Sequence, residues 1–90
     1  MPLVTDETAY RAYIGVEKIS DEDRKILKQY AEDNMNVSTT AKHFYLHRNS
    51  LVYRLERVKK KTGLDPTYFY DLVALLVAIE VEGRPWYDVD

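Results

Sequence analysis

The segment that most constrains the fold is residues 39–63, TTAKHFYLHRNSLVYRLERVKKKTG. It contains a short helical pattern, a non-helical step and a longer helical pattern that ends at a glycine. In the longer pattern, Leu51, Leu55 and Val58 recur at helical spacing and define one apolar face. The segment therefore predicts two consecutive helices joined by a tight turn, the second of which exposes a polar face.

Helical patterns outside this segment complete a prediction of five helices. The first is expected over about residues 7–14, the second over about 21–34, and the third from Ser38 onwards. The fourth is expected over about 48–62 and the fifth from about 66 to 82. Glycine and proline are scarce and lie at the edges of these segments, which favours helices throughout. We therefore expect an all-α fold, a compact helical domain of about five helices that contains a helix-turn-helix.

Side chains at the helix ends support these boundaries. Ser20 and Ser38 are expected N-caps. Ser20 and Asp23 together have the form of a capping box in which Asp replaces the usual Glu or Gln. Gly63 is expected to end the fourth helix, and Pro66 suits the first turn of the fifth.

The same patterns predict which side chains are buried. The first helix is expected to carry Tyr10, Tyr13 and Ile14 on one face and to stop at Gly15. The fifth helix, DLVALLVAIEV, is apolar on nearly every side, which predicts burial against more than one neighbour. The expected core comprises Ile26, Leu27, Ala31, Ala41, Phe44, Leu51, Leu55, Val58, Leu72, Leu75 and Leu76.

Composition limits the class of protein. Ninety residues make one domain with a modest core, and the absence of cysteine excludes a disulfide or thiolate–metal framework. No window reaches the roughly 18 consecutive apolar residues of a membrane span. Because the start, MPLVTDETAY, lacks a signal-peptide pattern, we expect a soluble cytoplasmic protein. The expected organisation is an N-terminal segment (1–19), a helix-turn-helix domain (20–83) and a tail (84–90).

Charge is distributed unevenly along the chain. A net charge of −2 and a pI of about 5.7 do not by themselves indicate a nucleic-acid partner. Residues 42–61, however, contain seven Lys or Arg and one Glu, whereas residues 1–41 and 62–90 carry net charges of −3 and −5. Local potential at a contact face steers a polyanion such as double-stranded DNA, the expected partner, although a basic helix face is often only a solvated face and charge alone does not decide between the two.

The fourth helix offers polar groups opposite its apolar face. At about 100° per residue, Asn49, Tyr53 and Lys60 lie directly opposite the apolar stripe. Asn can pair with adenine and Arg with guanine in a major groove, and Tyr or Ser can reach a phosphate. The expected DNA-binding residues of this helix are Arg48, Asn49, Ser50, Tyr53, Arg54, Arg57 and Lys60.

The preceding helix supports the same use. Ala41 is a small residue of the kind that permits close approach of the second helix in a helix-turn-helix. Tyr45 departs from the generic pattern, because glycine is frequent at that turn position. Ser38 and Thr39 place hydroxyl and backbone N–H groups at a helix N-terminus, which suits a phosphate. His47 is expected to cap the following helix or to contact a phosphate.

Residues 44–55, FYLHRNSLVYRL, with a later Thr-Gly-Leu, resemble the hallmark of the C-terminal helix-turn-helix domain of PucR/CdaR-type bacterial regulators. That hallmark is similar to Leu-x-x-His-Arg-Asn-Thr-x-x-Tyr-Arg-Leu; here Ser50 replaces Thr and Phe44 stands where Leu is common. The resemblance spans about residues 23–82 and accounts for Tyr45, since a bulky residue is usual there. It implies a transcription factor, normally a homodimer, in which this module follows an N-terminal sensor domain. We expect this chain to be excised from such a protein, with a short stand-alone member of the family as the alternative.

Some of these residues admit a second interpretation. His43 and His47 have the i, i+4 spacing of a metal pair, but the helix breaks between them and no third ligand stands out. No metal and no cofactor is therefore expected, and His43 is expected to face solvent. Arg54 is predicted either to contact a phosphate or to pair with an acid such as Asp33. Asn49 is predicted to read a base, with capping or bracing of the turn as the alternative.

Three functional classes follow from these features. Sequence-specific DNA binding, as a dimer on a palindromic site, is the leading prediction. The alternative is a helical protein-interaction or dimerisation module without DNA readout, because the fifth helix is so apolar. An enzyme is least expected, since the chain has no glycine-rich phosphate loop, no Cys nucleophile and no acid–base constellation.

Overall fold

Between residues 3 and 82 the chain forms five α-helices and one 3₁₀ turn. The computed structural model describes residues 3–82, and within that range no strand is present. The predicted all-α fold with five helices is confirmed. None of the helices between residues 3 and 82 is long and apolar enough to cross a membrane. The elements are α1 (Asp6–Gly15), the 3₁₀ turn (Val16–Lys18), α2 (Asp21–Glu32), α3 (Val37–His43), α4 (Arg48–Thr62) and α5 (Phe69–Val81).

All five helices share one core. α5 packs against α1 and α2, α3 packs against α4, and α1 also reaches α4. Leu27, Leu51 and Leu75 are completely buried. Among the predicted core residues, Ala31, Phe44 and Leu76 are half-buried at the edge of the core, and the others are buried.

α1 buries small residues and leaves its large ones exposed. Tyr10, Tyr13 and Ile14, which the pattern places on one face, are all exposed. α1 ends at Gly15 as predicted, yet this glycine is buried and helical, with φ −70° and ψ −32°. A Cβ atom on Gly15 would lie 2.8 Å from the Cβ of Thr62. The glycine therefore allows α1 to approach the end of α4.

The N-terminal segment contributes directly to the core. Ala12, Val16 and Ile19 are buried together with the leucines of the later helices. Arg24 of α2 donates a 2.7 Å hydrogen bond to the carbonyl of Val16 and pairs with Glu82 at 2.8 Å. Through this one guanidinium, α2 is connected to the 3₁₀ turn and to the end of α5.

The N-caps agree with the sequence for α2 and differ for α3. Ser20 caps α2, and its hydroxyl accepts from the backbone N–H of Asp23 at 3.1 Å. The prediction that Ser38 caps α3 is wrong. Asn36 is the cap, its Oδ1 accepts from the N–H of Thr39 at 2.9 Å, and Ser38 lies inside the helix. Asparagine is as favourable as serine at an N-cap, and Asn36 precedes Ser38 in the chain, so the helix begins directly after Asn36.

α5 begins later than the sequence predicts. Pro66 lies in a turn, and α5 begins at Phe69 with Tyr68 as its N-cap. The carboxylate of Asp65 accepts from the N–H of Thr67 at 2.9 Å and from its hydroxyl at 2.6 Å. An aspartate bonded in this way to the backbone two residues ahead stabilises a turn in competition with a helix.

Candidate nucleic-acid interface

α3 and α4 form the predicted helix-turn-helix. They pack against each other, and Ala41 of α3 and Leu51 of α4 are both buried, with exposures of 2% and 0%. The methyl side chain of Ala41 occupies little space between the two backbones, as expected for the first helix of such a unit. This packing supports α4 along one face and leaves the opposite face open to solvent.

The turn between the two helices is closed by Tyr45 in a left-handed conformation, with φ of 55°. The N–H of Tyr45 donates to the carbonyl of Lys42 at 3.2 Å, and the N–H of Leu46 donates to that of Ala41 at 2.9 Å. These two bonds form a Schellman motif, in which the left-handed position usually belongs to glycine. The backbone therefore resembles that of a glycine-containing turn, while the tyrosine side chain is 96% exposed.

The open face of α4 carries polar side chains that have no protein partner within residues 3–82. Asn49, Ser50 and Tyr53 are exposed, and none of their side chains makes a hydrogen bond with another residue of the range 3–82. Arg48 and Lys60 are also exposed, and within the same range they form no ion pair. These groups can donate to or accept from a ligand without first losing an internal partner.

Two other arginines of α4 are already paired with α2. Arg57 donates to one carboxylate oxygen of Asp23 through Nη2 at 2.8 Å and through Nε at 3.3 Å. Arg54 lies 3.3 Å from the other oxygen of Asp23 and 2.7 Å from Glu22. The hydrogen bond from Arg57 to Asp23 raises the pKa of Arg57 above its ordinary value. Both side chains thus differ from Arg48 and Lys60, which form no ion pair in the part of the chain that the structure describes.

Arg54 was predicted either to contact a phosphate or to pair with an acid such as Asp33. In the structure it pairs with Glu22 and Asp23, and not with Asp33. Asp33 instead accepts from the hydroxyl of Thr40 at 2.9 Å and from the amide of Gln29 at 3.1 Å. His43 also lies 3.4 Å from this carboxylate and is about half exposed. Asp33 therefore connects α2 with α3, and Glu22 and Asp23 connect α2 with α4.

The first turn of α3 offers less than the sequence predicts. Ser38 and Thr39 are exposed, but the N–H of Thr39 is occupied by the Asn36 cap. The hydroxyl of Thr40 is completely buried and bonds to Asp33 and to the carbonyl of Asn36. The exposed hydroxyls of Ser38 and Thr39 remain available at this end of the helix.

His47 stands at the N-cap position of α4, yet its side chain makes no capping hydrogen bond. The expectation that it caps the helix is therefore wrong, and contact with a phosphate remains the predicted role. Residues 3–82 contain no group of three or more His, Cys, Asp or Glu side chains that could hold a metal ion, so His43 and His47 are not part of such a group.

Asp23 is the residue of this region that the sequence interpretation missed. Its side chain is buried, and it was assigned only to a capping box. Asp23 precedes Ile26, Leu27 and Tyr30 at the i, i+3, i+4, i+7 spacing of a buried helix face. An acid at the first position of such a face requires a cationic partner, and this signal predicts a buried ion pair.

Comparison with known proteins identifies the family. The family model described as the PucR C-terminal helix-turn-helix domain matches residues 24–81, which is more than half of the chain. The chain belongs to the PucR C-terminal helix-turn-helix family. The matched range extends from α2 to the end of α5 and includes the helix-turn-helix with its open face.

Individual relatives support this membership. The chain is 40% identical over 61 residues to the uncharacterized protein YxkF of Bacillus subtilis (strain 168), an alignment that covers 67% of this chain and 20% of YxkF. It is 37% identical over 59 residues to the carbohydrate diacid regulator of Escherichia coli (strain K12), covering 66% of this chain and 15% of that protein.

A third relative matches over a shorter range. The purine catabolism regulatory protein of Bacillus subtilis (strain 168) is 43% identical over 37 residues, which are 41% of this chain and 7% of that protein. This PucR-family chain thus spans a fifth or less of the length of the curated relatives that it matches. No solved structure matches it.

Proposed function

We propose that this chain is the sequence-specific DNA-binding domain of a bacterial transcriptional regulator, with α4 as the recognition helix in the major groove. The observation that carries the proposal is the open face of α4. Asn49, Ser50 and Tyr53 lie there without internal partners in the described range 3–82, next to the cations Arg48 and Lys60. A helix of this kind, held by a preceding short helix, suits a major groove.

The proposal assigns different roles to the two ends of α4. Asn49, Ser50 and Tyr53 lie towards its N-terminal end, the part of a recognition helix that enters the groove. Lys60 lies in the last turn, where the helix leaves the groove and approaches the DNA backbone. Ser38, Thr39 and His47 provide further phosphate contacts before α4, and Arg48 contacts DNA at its start. Arg54 and Arg57, the last two residues of the predicted set, are bound to Asp23 and reach DNA only if they leave this carboxylate.

Two substitutions test this division of roles. Asn49→Ala is expected to weaken binding to a selected preferred site by about 1–3 kcal/mol and to change binding to random DNA little. Lys60→Ala is expected to weaken binding to all sequences alike and to lower the salt slope by roughly 0.9, because one phosphate is no longer neutralised. The measurement is a titration of both duplexes over a series of salt concentrations.

Thermal melting of the Asn49→Ala variant provides the control. If Asn49 braces the turn, the variant melts well below the wild type and retains its preference for the selected site. That outcome would assign Asn49 to the fold and remove it from the reading of bases. The exposed, unbonded side chain supports the role in recognition.

We also propose that the domain acts as a homodimer on a palindromic site, within a longer cytoplasmic protein that carries an N-terminal sensor domain. Two recognition helices about 34 Å apart would read two half-sites one helical turn apart. The support is the apolar surface of α5 and α1, where Val77, Tyr10 and Tyr13 are exposed. Support for the longer protein comes from the small share of each relative that the chain spans.

The second candidate is a helical protein-interaction module without DNA readout. It is favoured by the apolar groove between α1 and α5, which is lined by Val4, Tyr10, Tyr13, Val77 and Val81 among others. Gel shifts with non-specific DNA over a salt series distinguish the two candidates. A DNA-binding domain shows binding that weakens as salt rises, and a pure interaction module shows none.

A further inference from the structure

Asp23 is the only charged side chain that is fully buried among residues 3–82, with an exposure of 1%. A buried carboxylate is strongly unfavourable unless cations and hydrogen-bond donors surround it. Within that range, every side-chain donor to the Asp23 carboxylate comes from α4, namely the guanidiniums of Arg54 and Arg57. Its position therefore determines where two of the cations of the proposed recognition helix are held.

Arg57 lies beside the open face of α4. At about 100° per residue, Arg57 is about 60° from Lys60 and about 40° from Tyr53 around the helix axis. Its side chain is one-third exposed, and without Asp23 its long stem could extend along the open face. Arg54 lies about 60° from Arg57 around the helix axis, on the side nearer to the buried stripe. Its guanidinium contacts both Asp23 and the exposed Glu22.

Free cations on a recognition helix affect all DNA sequences alike. Each additional phosphate contact releases counterions and strengthens binding irrespective of sequence. The specificity ratio falls when non-specific binding strengthens more than binding to the preferred site. A carboxylate that holds arginines away from phosphates therefore acts in favour of selectivity.

We propose that Asp23 is a specificity-determining positioning residue, which holds Arg57, and with Glu22 also Arg54, away from sequence-independent contacts with DNA phosphates. This inference rests on the proposed DNA-binding function and refines the roles of these two arginines. Asp23 does not touch the DNA itself; it acts through the guanidiniums that it binds. The free groups Asn49, Ser50 and Tyr53 then provide a larger share of the binding to a preferred site.

The test compares Asp23→Asn with Asp21→Asn in the 90-residue chain. Both substitutions remove one negative charge from the first turn of α2, but Asp21 is exposed and pairs with Arg24. Binding to a random-sequence duplex is measured over a series of salt concentrations. Asp23→Asn is expected to steepen the slope by roughly 0.9 to 1.8, for one or two additional phosphate contacts. Asp21→Asn is expected to leave the slope unchanged.

A second substitution separates the released arginine from general loosening of the fold. The double variant Asp23→Asn, Arg57→Ala lacks the released arginine side chain. We expect it to lose most of the increase in the salt slope that Asp23→Asn causes. A merely structural role for Asp23 predicts parallel weakening on random and preferred duplexes with an unchanged slope. That result, or equal slopes for the Asp23 and Asp21 variants, would overturn the inference.

Glu22→Gln extends the test if Asp23→Asn is unfolded at the assay temperature. Glu22 is about half exposed, so this substitution leaves no buried charge unpaired while it removes one partner of Arg54. The salt slope of Glu22→Gln is expected to be steeper than that of Asp21→Asn. Equal slopes for these two variants would overturn the inference. Failure of the wild-type chain to bind any duplex at low salt would instead contradict the proposed function.

Discussion

Tyr45 combines an unfavourable backbone conformation with a fully solvated side chain. Its φ of 55° is one that residues with a Cβ rarely adopt, and its ring is 96% exposed. The surrounding Schellman hydrogen bonds compensate for the left-handed backbone. Little packing stabilisation can come from a ring that contacts so little of the protein.

We expect Tyr45→Gly to stabilise the domain by about 1 kcal/mol relative to Tyr45→Ala, because glycine adopts the left-handed conformation without a steric penalty. Denaturant unfolding of both variants measures the difference. The alanine variant is the matched control, since it also removes the ring but keeps the Cβ. Equal stabilities of the two variants would show that the backbone at this turn is not strained.

Gly15 and Gly63 illustrate two different requirements for glycine. A Cβ atom on Gly63 would meet nothing within 4 Å, so the φ of 76° is what favours glycine at the end of α4. At Gly15 the backbone is helical, and the requirement is the short distance to Thr62. Only the first requirement belongs to the local chain conformation; the second depends on how α1 packs.

At the scale of elements, the turn between α4 and α5 depends on Asp65. Its carboxylate accepts two hydrogen bonds from Thr67 and lies 3.6 Å from Lys59 of α4. The hydrogen bond that the Thr67 hydroxyl donates to Asp65 is the main cause of the lowering of the pKa of Asp65 below its ordinary value. A folded-state pKa below the unfolded-state value stabilises the fold above the unfolded-state pKa, and this stabilisation is lost as the pH falls through the folded-state pKa.

We therefore expect the melting temperature to decrease as the pH falls below about 4. Thr67→Val removes the hydroxyl bond and keeps the backbone N–H bond, so this variant is expected to lose less stability over the same interval. Thermal melts from about pH 6 to about pH 2 measure both proteins. If the melting temperatures of the two proteins fall in parallel as the pH decreases, the hydrogen bond between Asp65 and the Thr67 hydroxyl does not contribute to the pH dependence of stability.

At the scale of the whole molecule, α5 has more apolar surface than the core formed by residues 3–82 covers. Leu72 and Leu75 are buried, Val73 and Leu76 are half-buried, and Val77 is 57% exposed. Apolar surface of this kind marks an interaction site in many proteins. Under the proposed function, two partners could bury this apolar surface of α5. One is a second copy of the domain, and the other is the N-terminal domain of a longer chain.

We expect weak self-association of the 90-residue chain through α5, which Val77→Glu should reduce because it places a charge in the apolar contact. Sedimentation over a range of concentrations measures it, and Val77→Ala is the control that keeps the surface apolar. The two variants should melt within a few degrees of each other, since Val77 contributes little to the core. A wild-type chain that stays monomeric at the highest concentration would contradict self-association.

The sequence by itself determined the number and order of the helices, the helix-turn-helix and much of the core. These features depend on residues within a few positions of each other, such as the repeat of Leu51, Leu55 and Val58. The exposed position of Asn49 and Tyr53 follows from the same periodicity. The family resemblance rested on a contiguous string of residues and is confirmed by the family match.

Only the tertiary structure decided which side chains pair between elements. Asp23 meets Arg54 and Arg57 across separations of 31 and 34 residues, and no local pattern specifies which acid lies nearest to which arginine. Gly15 likewise faces Thr62 because α1 packs across the end of α4. Such contacts depend on the relative placement of whole helices, which many weak packing interactions determine together.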